Sequence, residues 1–218
     1  MKKKRVIIIT GSASGIGKAL LESYQKDKDL FVIGIDKPGT KAEIPIDLSL
    51  PFDIVTLLHA KYPDVLDLGI DTLINCAGLM PFVEGRYVFD VNFWGTYEMM
   101  TQCFSLMDAE SCVINIASTC GIKPDADLPI YSASKAAVIS ITQAFAKRWA
   151  QFGVRVNCIS PGFYKTNLVP EETPQALLDT VPLGFEEEPE ALFAVVETIR
   201  KTRYMTGSNI TIDGGLIL

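Results

Sequence analysis

The chain has 218 residues, 48% of them hydrophobic, and a formal net charge of −6 at pH 7, which suits one domain and argues against a nucleic-acid-binding surface. Its five scattered cysteines form no C-x-x-C pair and His59 is the only histidine, so no metal site, disulfide framework or Ser-His-Asp triad is expected. No apolar run is long enough for a secretory signal or a membrane span, and the sequence predicts a cytoplasmic protein that does not bind membranes.

Strands and helices alternate along the chain. The apolar, β-branched runs that predict strands are Val6–Thr10, Leu30–Ile35, Ile44–Ile46, Asp71–Asn75, Cys112–Ala117, Val154–Ile159 and Asn209–Ile212. The segments that predict helices are Lys18–Lys28, Pro51–Lys61, Asp90–Met107, Ser132–Phe152 and Glu188–Arg200. Such alternation predicts parallel pairing through right-handed crossovers. The predicted fold class is α/β: a single doubly wound parallel sheet of about seven strands, flanked by helices on both faces, in one domain over residues 1–218.

One irregular segment, residues 167–185, is rich in Pro and Glu. Ligands of doubly wound sheets bind beyond the carboxyl ends of the strands. A segment in that position is predicted to act as a lid over the site, and an ordinary connection is the alternative.

The glycine-rich stretch ITGSASGIGKAL, residues 9–20, follows the first predicted strand. It is not a P-loop, because five residues separate Gly11 from Gly17 and Ala19 stands where a magnesium-binding hydroxyl is needed. The spacing Gly11-x-x-x-Gly15-x-Gly17 also differs from G-x-G-x-x-G. The physics of a dinucleotide turn still fits: a tight turn, a close backbone approach to the pyrophosphate, and close packing of helix on strand.

Asp36 supports a dinucleotide. It follows the second predicted strand, nineteen residues after Gly17, where an acidic side chain binds the adenosine ribose hydroxyls. A carboxylate there repels a 2′-phosphate, and Ser14, which precedes Gly15, offers no positive charge to hold one. The sequence therefore favours NAD(H) over NADP(H).

A second constellation combines a phenol, an ammonium and a hydroxyl. Tyr131 and Lys135 are four residues apart in a predicted helix, so they share one face. A nearby cation favours the phenolate and is expected to lower the pKa of Tyr131 from its ordinary value near 10. Ser118 stands thirteen residues before Tyr131, just past a predicted strand. By itself a Tyr-x-x-x-Lys pair is weak evidence, since most such pairs are solvated surface or packing.

Several motifs occur in one order along the chain: Thr10-Gly11-x-x-x-Gly15-Ile16-Gly17, Asn75-Cys76-Ala77-Gly78, Ser118, Tyr131-x-x-x-Lys135, Pro161-Gly162 and the final TGSNITIDGG. Their order and spacing resemble those of the short-chain dehydrogenase/reductase family. The resemblance runs from about residue 5 to residue 215, nearly the whole chain. It implies a Rossmann-like fold and oxidoreductase activity.

The resemblance also implies four catalytic residues. Tyr131 is the acid/base, Lys135 holds the nicotinamide ribose and lowers the tyrosine pKa, and Ser118 binds the reacting oxygen. Asn92 bends its helix and holds a water of the proton relay, although it is also typical of a helix cap or kink.

The resemblance further implies a dinucleotide site. Asp47 and Leu48 contact adenine, and Pro161-Gly162 and Thr166 hold the carboxamide; Asp47 and Thr166 are also typical of ordinary turns. The full implied set is Gly11, Ser14, Gly15, Ile16, Gly17, Asp36, Asp47, Leu48, Asn75, Ala77, Gly78, Tyr131, Lys135, Pro161, Gly162 and Thr166.

The chain departs from the family in two short segments. About ten residues separate Asp36 from Asp47, so a helix found in many relatives is expected to be missing or reduced to a turn, and the segment between Gly78 and Asn92 is also abbreviated. The substrate side is expected to be lined by residues 119–129, Phe163, Tyr164 and 167–185.

Aromatic residues on that side suit an apolar or ring-shaped alcohol or ketone. No Arg or Lys cluster marks a pocket for a carboxylate or phosphate, and Glu171, Glu172 and Asp179 disfavour anions. The sequence does not exclude a substrate carried on phosphopantetheine, because the charge of such a substrate can lie on a carrier protein.

The sequence thus predicts an NAD(H)-dependent oxidoreductase that interconverts a small secondary alcohol and a ketone. A non-catalytic, dinucleotide-binding regulatory protein on the same fold is the alternative. The family implies a homo-oligomer, dimeric or tetrameric, with helices 92–107 and 132–150 at the interface, unless their apolar residues all face the sheet. Asp213-Gly214-Gly215 is expected to be a structural turn near the subunit interface.

Overall fold

The computed structural model describes residues 5–63, 68–80, 85–166, 168 and 173–218. Within them the strands form one sheet of order β3-β2-β1-β4-β5-β6-β7, and every neighbouring pair is parallel. This confirms the predicted fold class. The strands are β1 (Arg5–Thr10), β2 (Leu30–Asp36), β3 (Ile44–Pro45), β4 (Ile70–Asn75), β5 (Met107–Ile116), β6 (Arg155–Pro161) and β7 (Asn209–Ile212).

Helices cover both faces of this sheet. The described helices are α1 (Gly15–Tyr24), α2 (Ile54–Lys61), α3 (Gly85–Phe89), α4 (Thr96–Cys103), α5 (Pro129–Trp149), α6 (Gln175–Leu178) and α7 (Leu192–Lys201). A π-helical segment, Asp90–Gly95, joins α3 to α4. Helix α1 begins three residues earlier and ends four residues earlier than the sequence predicts.

The predicted single helix over residues 90–107 is wrong. Its first six residues are π-helical, and Met107 already belongs to β5. The start of β5 carries extra residues relative to β4, because Ile70 pairs with Met107 whereas Thr72 pairs with Cys112. The Ser111 hydroxyl secures this irregularity by donating to the Ile70 carbonyl at 2.7 Å.

The core lies on both faces of the sheet. Val6 and Ile8 of β1 pack with α2, α4 and α5, whereas Ile7 and Ile9 pack with α1 and α7. All four side chains are fully buried, which is why β1 is a continuous apolar run rather than an alternating one. Burial of each such side chain stabilises the fold by about 1.5–3 kcal/mol. The position of β1, and of the turn that follows it, is therefore well determined.

The connection between β2 and β3 is a turn, as predicted. Residues 37–43 contain no helix. The Glu43 carboxylate accepts a hydrogen bond from the Gly34 N–H at 2.8 Å, and the Ile46 N–H donates to the Asp36 carbonyl at 2.8 Å. The short turn therefore ties β3 to β2 and fixes the carboxyl end of β2.

Arg155, the first residue of β6, joins that strand to α7. Its guanidinium is buried and donates to the carbonyls of Ile199, Arg200 and Met205 at 2.9, 2.7 and 3.1 Å. We expect Arg155→Met to lower the free energy of unfolding by about 2–4 kcal/mol, because it leaves these carbonyls without a charged donor. Denaturant-induced unfolding measures the loss.

The matched control is Arg148→Met, which changes an exposed arginine in the last turn of α5. Its effect is expected to stay within about 0.5 kcal/mol. Equal losses in the two variants would contradict a capping role for Arg155.

Candidate active site

A cavity of about 480 Å³ opens at the carboxyl ends of the strands, where ligands of doubly wound sheets bind. Its walls come from the turn after β1, the ends of β2 and β3, and the segments that follow β4, β5 and β6. All predicted site residues line it except two, Asn75 and Asn92.

The turn between β1 and α1 is built from direct backbone contacts. A Cβ at Gly11, which has a φ of 69°, would lie 2.8 Å from the Ala77 Cα, and one at Gly17 would lie 2.1 Å from the Gly11 carbonyl oxygen. The Thr10 hydroxyl accepts hydrogen bonds from the Cys76 and Ala77 N–H groups, both at 3.1 Å. Only glycine fits at these two positions.

Helix α1 begins at Gly15, inside the cavity wall. The side chain of the preceding Ser14 makes no capping hydrogen bond. The first amides of the helix are therefore available to an anion, which the helix dipole also favours. Thr166 closes the other side of this turn, since a Cβ at Gly15 would lie 3.1 Å from its Cγ2.

Asp36 ties the end of β2 to the glycine turn. Its Oδ2 accepts from the Ala13 N–H at 2.8 Å and its Oδ1 accepts from the Lys37 N–H at 2.7 Å. Asp47 lines the cavity, and its Oδ1 also caps the turn that follows, as the alternative interpretation expects, by accepting from the Ser49 N–H and hydroxyl at 3.0 and 2.6 Å.

Ser118, Tyr131 and Lys135 share one wall of the cavity. Ser118 follows β5 and accepts from the Cys120 N–H at 3.2 Å. The turn it opens packs on α5 at backbone distance, because a Cβ at Gly121 would lie 2.7 Å from the carbonyl carbon of Lys135. Tyr131 and Lys135 are one helical turn apart on α5, so the predicted trio is brought together.

The Lys135 ammonium is buried beneath the phenol. Its Nζ donates to the Ile116 carbonyl at 2.9 Å and lies 5.8 Å from the centroid of the Tyr131 ring. Burial lowers the pKa of Lys135 to about 8. The expected lowering of the Tyr131 pKa is wrong for this structure: burial raises it to about 12, and the nearby Ser118 hydroxyl only partly opposes that rise.

Asn92 lies in the π-helical segment and faces the backbone of Leu79. Its Oδ1 accepts from the Leu79 N–H at 2.7 Å, and its Nδ2 donates to the Leu79 carbonyl and the Ser134 hydroxyl, both at 3.0 Å. The predicted irregularity of this helix is present. The Asn92 side chain does not line the cavity, because these bonds hold it within the protein.

Asn75 is the other predicted residue that the fold keeps out of the cavity. It is 2% exposed, and its Nδ2 donates to Asn115 Oδ1 at 2.8 Å. Asn115 donates in turn to the Thr142 hydroxyl on α5 at 2.9 Å. Since neighbouring side chains of a strand point to opposite faces, the next residue, Cys76, lines the cavity instead.

Sequence reasoning missed part of the lining. The spacing of Tyr87 and Val91, one helical turn apart, could have predicted that they share one face of a helix. The remaining missed residues have no such pattern in the sequence. The missed residues are Ala13, Lys37, Thr40, Ile46, Cys76, Leu79, Met80, Tyr87, Val91, Ile116 and Ala117.

On the expected substrate side, Tyr164 and Leu168 line the cavity, whereas Phe163 and residues 119–129 do not. Of the predicted lid, residues 167 and 169–172, with Glu171 and Glu172, lie outside the described residues. The described part includes α6, and none of its residues from 173 onward lines the cavity.

Two further observations concern the described part of the chain. None of its helices has the length and apolar character needed to cross a membrane. Within the same residues, no group of three or more His, Cys, Asp or Glu side chains is placed to hold a metal ion.

Lys135 makes the stability of the fold depend on pH. Its pKa is about 8 in the folded chain and near 10.5 ordinarily, so between those values the unfolded chain holds a proton that the folded chain has released. Stability therefore rises with pH across this window. Relative to Lys135→Met, we expect the wild type to gain about 3 kcal/mol of unfolding free energy between about pH 7.5 and 10.5.

Denaturant-induced unfolding of both proteins at several pH values measures this difference. Lys147→Met, which changes an exposed lysine of the same helix, is the matched control and is expected to show little such trend. A difference between Lys135→Met and the wild type that stays constant with pH would contradict a buried, titrating ammonium.

The fold and the cavity define a class of protein before any comparison is made. A parallel doubly wound sheet carries a glycine turn at the head of its first helix, and an acidic residue ends the next strand. This is the arrangement of a dinucleotide-binding protein of the Rossmann type.

Comparison with known proteins gives the family. Residues 5–176 match the short chain dehydrogenase family. A 3-oxoacyl-(acyl-carrier-protein) reductase of Thermotoga maritima is 29% identical over 98% of this chain and 98% of its own length. An uncharacterized short-chain type dehydrogenase/reductase of Sinorhizobium fredii is 30% identical over 97% of this chain, which spans 43% of that relative's length.

Among solved structures, 4-hydroxyisoleucine dehydrogenase complexed with NADH has a TM-score of 0.84 and 29% identity, covering 98% of this chain and 99% of its own. The chain belongs to the short-chain dehydrogenase/reductase family. It is an oxidoreductase that uses a nicotinamide dinucleotide and acts on small molecules.

Proposed function

We propose that the protein is an NAD(H)-dependent oxidoreductase that interconverts a secondary alcohol and a ketone, with Tyr131 as the acid/base. The observation that carries the proposal is that Ser118, Tyr131 and Lys135 share one wall of the cavity that the glycine turn opens. The residues present fit the dinucleotide, because Gly15 and Gly17 carry no side chains at the start of α1 and the Ser14 side chain does not cap the α1 amides that face the cavity. When bound, the cofactor supplies hydride transfer.

The protein's own groups handle the proton. With a pKa of about 12, the Tyr131 phenol stays protonated at neutral pH and is a proton donor to a carbonyl oxygen. The Ser118 hydroxyl, on the same wall, is placed to orient that oxygen. In the oxidative direction the phenol must first release its proton, and the phenolate then accepts the proton of the alcohol hydroxyl.

We assign the dinucleotide to the lining residues named above, with the adenosine towards Asp36, Asp47 and Leu48 and the nicotinamide towards Pro161 and Thr166. Two observations support this polarity. The acidic pair belongs to the β2 and β3 side of the sheet, and the proton-carrying trio adjoins β5.

We further propose a single domain with a lid, a homo-oligomer and a cytoplasmic location. Exposed aromatic side chains on the π-helical segment and in the turn that follows α5 support an interface there: Trp94 and Phe152 are 49% and 53% exposed. The unpaired state of all five cysteines supports a reducing compartment.

A panel of alcohols and ketones, followed by NADH absorbance, tests the proposed activity. Turnover of a secondary alcohol or ketone supports it. Tight dinucleotide binding without turnover of any compound in the panel would instead favour the regulatory alternative.

Asp36 is expected to set the cofactor preference. Because its carboxylate would face a 2′-phosphate across the ribose, NADH should bind ~10- to 100-fold more tightly than NADPH. Asp36→Asn keeps an acceptor for the Ala13 N–H and removes the charge, so the preference should narrow to within a few-fold. Isothermal titration calorimetry with both cofactors measures it.

Asp29→Asn, which neutralises an exposed carboxylate at the other end of β2, controls for net charge and should keep the preference. NADPH binding as tight as NADH binding in the wild type would overturn this role of Asp36.

A further inference from the structure

The cavity wall beside Tyr131 is apolar on the side of α3. Leu79 and Met80 follow β4, Tyr87 lies on α3 and Val91 lies on the π-helical segment; all four line the cavity. Helix α3 packs on the start of α5. A Cβ on Gly85, the first residue of α3, would lie 3.3 Å from Cγ1 of Ile130, which precedes Tyr131. The four lining residues, which we name the α3 wall, therefore stand next to the proton donor.

The opposite wall is apolar as well. Tyr164 and Leu168, after β6, line the cavity. Tyr164 is buried and pairs with Glu187 in a β-bridge. Burial and the Glu187 carboxylate together raise the Tyr164 pKa to about 12, so the phenol there is neutral at physiological pH.

Charged groups are concentrated at the other end of the cavity. Asp36, Lys37 and Asp47 belong to the β2 and β3 side of the sheet, and β1 and β4 separate them from β5. Among the described lining residues, Lys135 is the one cation at the catalytic end, and its ammonium already donates to the Ile116 carbonyl.

Cations that adjoin the two walls have acidic partners. Arg86 lies 4.0 Å from Asp90, and Lys165 forms an ion pair with Glu188. In sequence, the neighbouring residues outside the described part of the chain contain no lysine or arginine: 81–84, 167 and 169–172.

We infer that the substrate is an uncharged, apolar alcohol or ketone, and that carboxylate-bearing substrates are excluded by the two walls. The inference rests on the proposed function and deepens it. A carboxylate beside Tyr131 would lose its hydration without gaining a cationic partner. The choice is not set by the family, since the solved relative named above is a dehydrogenase of 4-hydroxyisoleucine, an amino acid.

Matched ketone pairs that differ only in a methyl or a carboxylate test the inference. One pair is 4-methylcyclohexanone and 4-oxocyclohexanecarboxylate, and a second, linear pair is 2-hexanone and 5-oxohexanoate. With NADH, kcat/KM is expected to be at least ~100-fold higher for the methyl member. A carboxylate member used equally well, or 4-hydroxyisoleucine oxidised faster than neutral alcohols, would overturn the inference while the proposed function stands.

No turnover of any ketone or alcohol, with either NADH or NADPH, would instead overturn the proposed function. The inference about the substrate, which rests on that function, would then be overturned as well. The two failures are thus distinguishable.

A cation placed in the wall should reverse the discrimination. Met80→Arg is expected to shift the carboxylate-to-methyl ratio of kcat/KM by at least ~10-fold towards the carboxylate, and Met80→Gln, which adds polarity without charge, should not. Leu168→Arg makes the same test at a position that is 38% exposed, where folding tolerates an arginine. An unchanged ratio in both arginine variants would overturn the assignment of these residues to the substrate wall.

Discussion

Tyr131→Phe is expected to lower kcat by about 10³- to 10⁴-fold, because it removes the proposed proton donor and little else. The ring is 7% exposed, so phenylalanine keeps its packing and its position over the Lys135 ammonium. The fold and the dinucleotide affinity should therefore change little. Steady-state kinetics with the best substrate of the panel, together with NADH titration of the same preparation, measures both quantities.

Tyr164→Phe is the matched control. Tyr164 is also a buried tyrosine of the cavity with a pKa raised to about 12. It lies on the wall opposite α3, and the proposed mechanism gives it no part in proton transfer. We expect it to lose less than ~10-fold in kcat. If Tyr131→Phe lost no more than this control, Tyr131 would not be the acid/base.

The sequence predicted well what short-range pattern determines. A parallel strand buried on both faces is a continuous apolar run, so β1 was found directly from Val6 to Thr10. The glycine turn was found because its spacing reflects backbone contacts that exclude a Cβ at Gly11 and Gly17. Tyr131 and Lys135 were predicted to share one helix face because four residues make about one helical turn, whereas their catalytic roles came from the family resemblance.

It failed where distant segments decide the local structure. The predicted helix over residues 90–107 ends at Cys103 instead, because Met107 already belongs to β5, whose irregular start is secured where Ser111 bonds to the Ile70 carbonyl. The bend at Asn92 was expected, but the bonds of its side chain to the backbone of Leu79 were not. Neither partner is visible in the local pattern. The prediction that the Tyr131 pKa is lowered was wrong for the same reason. The spacing reveals the neighbouring cation, but only the packed fold reveals the burial that raises the pKa.

Gly17→Ala is expected to weaken NADH binding by at least ~100-fold. An added Cβ would lie 2.1 Å from the Gly11 carbonyl oxygen and 2.7 Å from its carbonyl carbon. Gly11 has little room to move away, because the Ala77 backbone lies so close that even a Cβ on Gly11 would be 2.8 Å from the Ala77 Cα. The start of α1 must therefore lift from β1, and the first amides of the helix turn away from the anion they are placed to bind. Overpacking of this kind also costs about 1–3 kcal/mol of stability.

The loss of affinity must be separated from the loss of stability, and Gly184→Ala allows this. Gly184 has a φ of 75° and open space around an added Cβ, so alanine there costs about 1–2 kcal/mol through backbone strain alone. Calorimetric titration with NADH and denaturant-induced unfolding of both variants give the two quantities independently. We expect both variants to be less stable but only Gly17→Ala to lose affinity, because only its Cβ meets the backbone of the phosphate turn. Wild-type affinity in Gly17→Ala would mean that the dinucleotide does not depend on the α1 amides, and the glycine turn would then be structural.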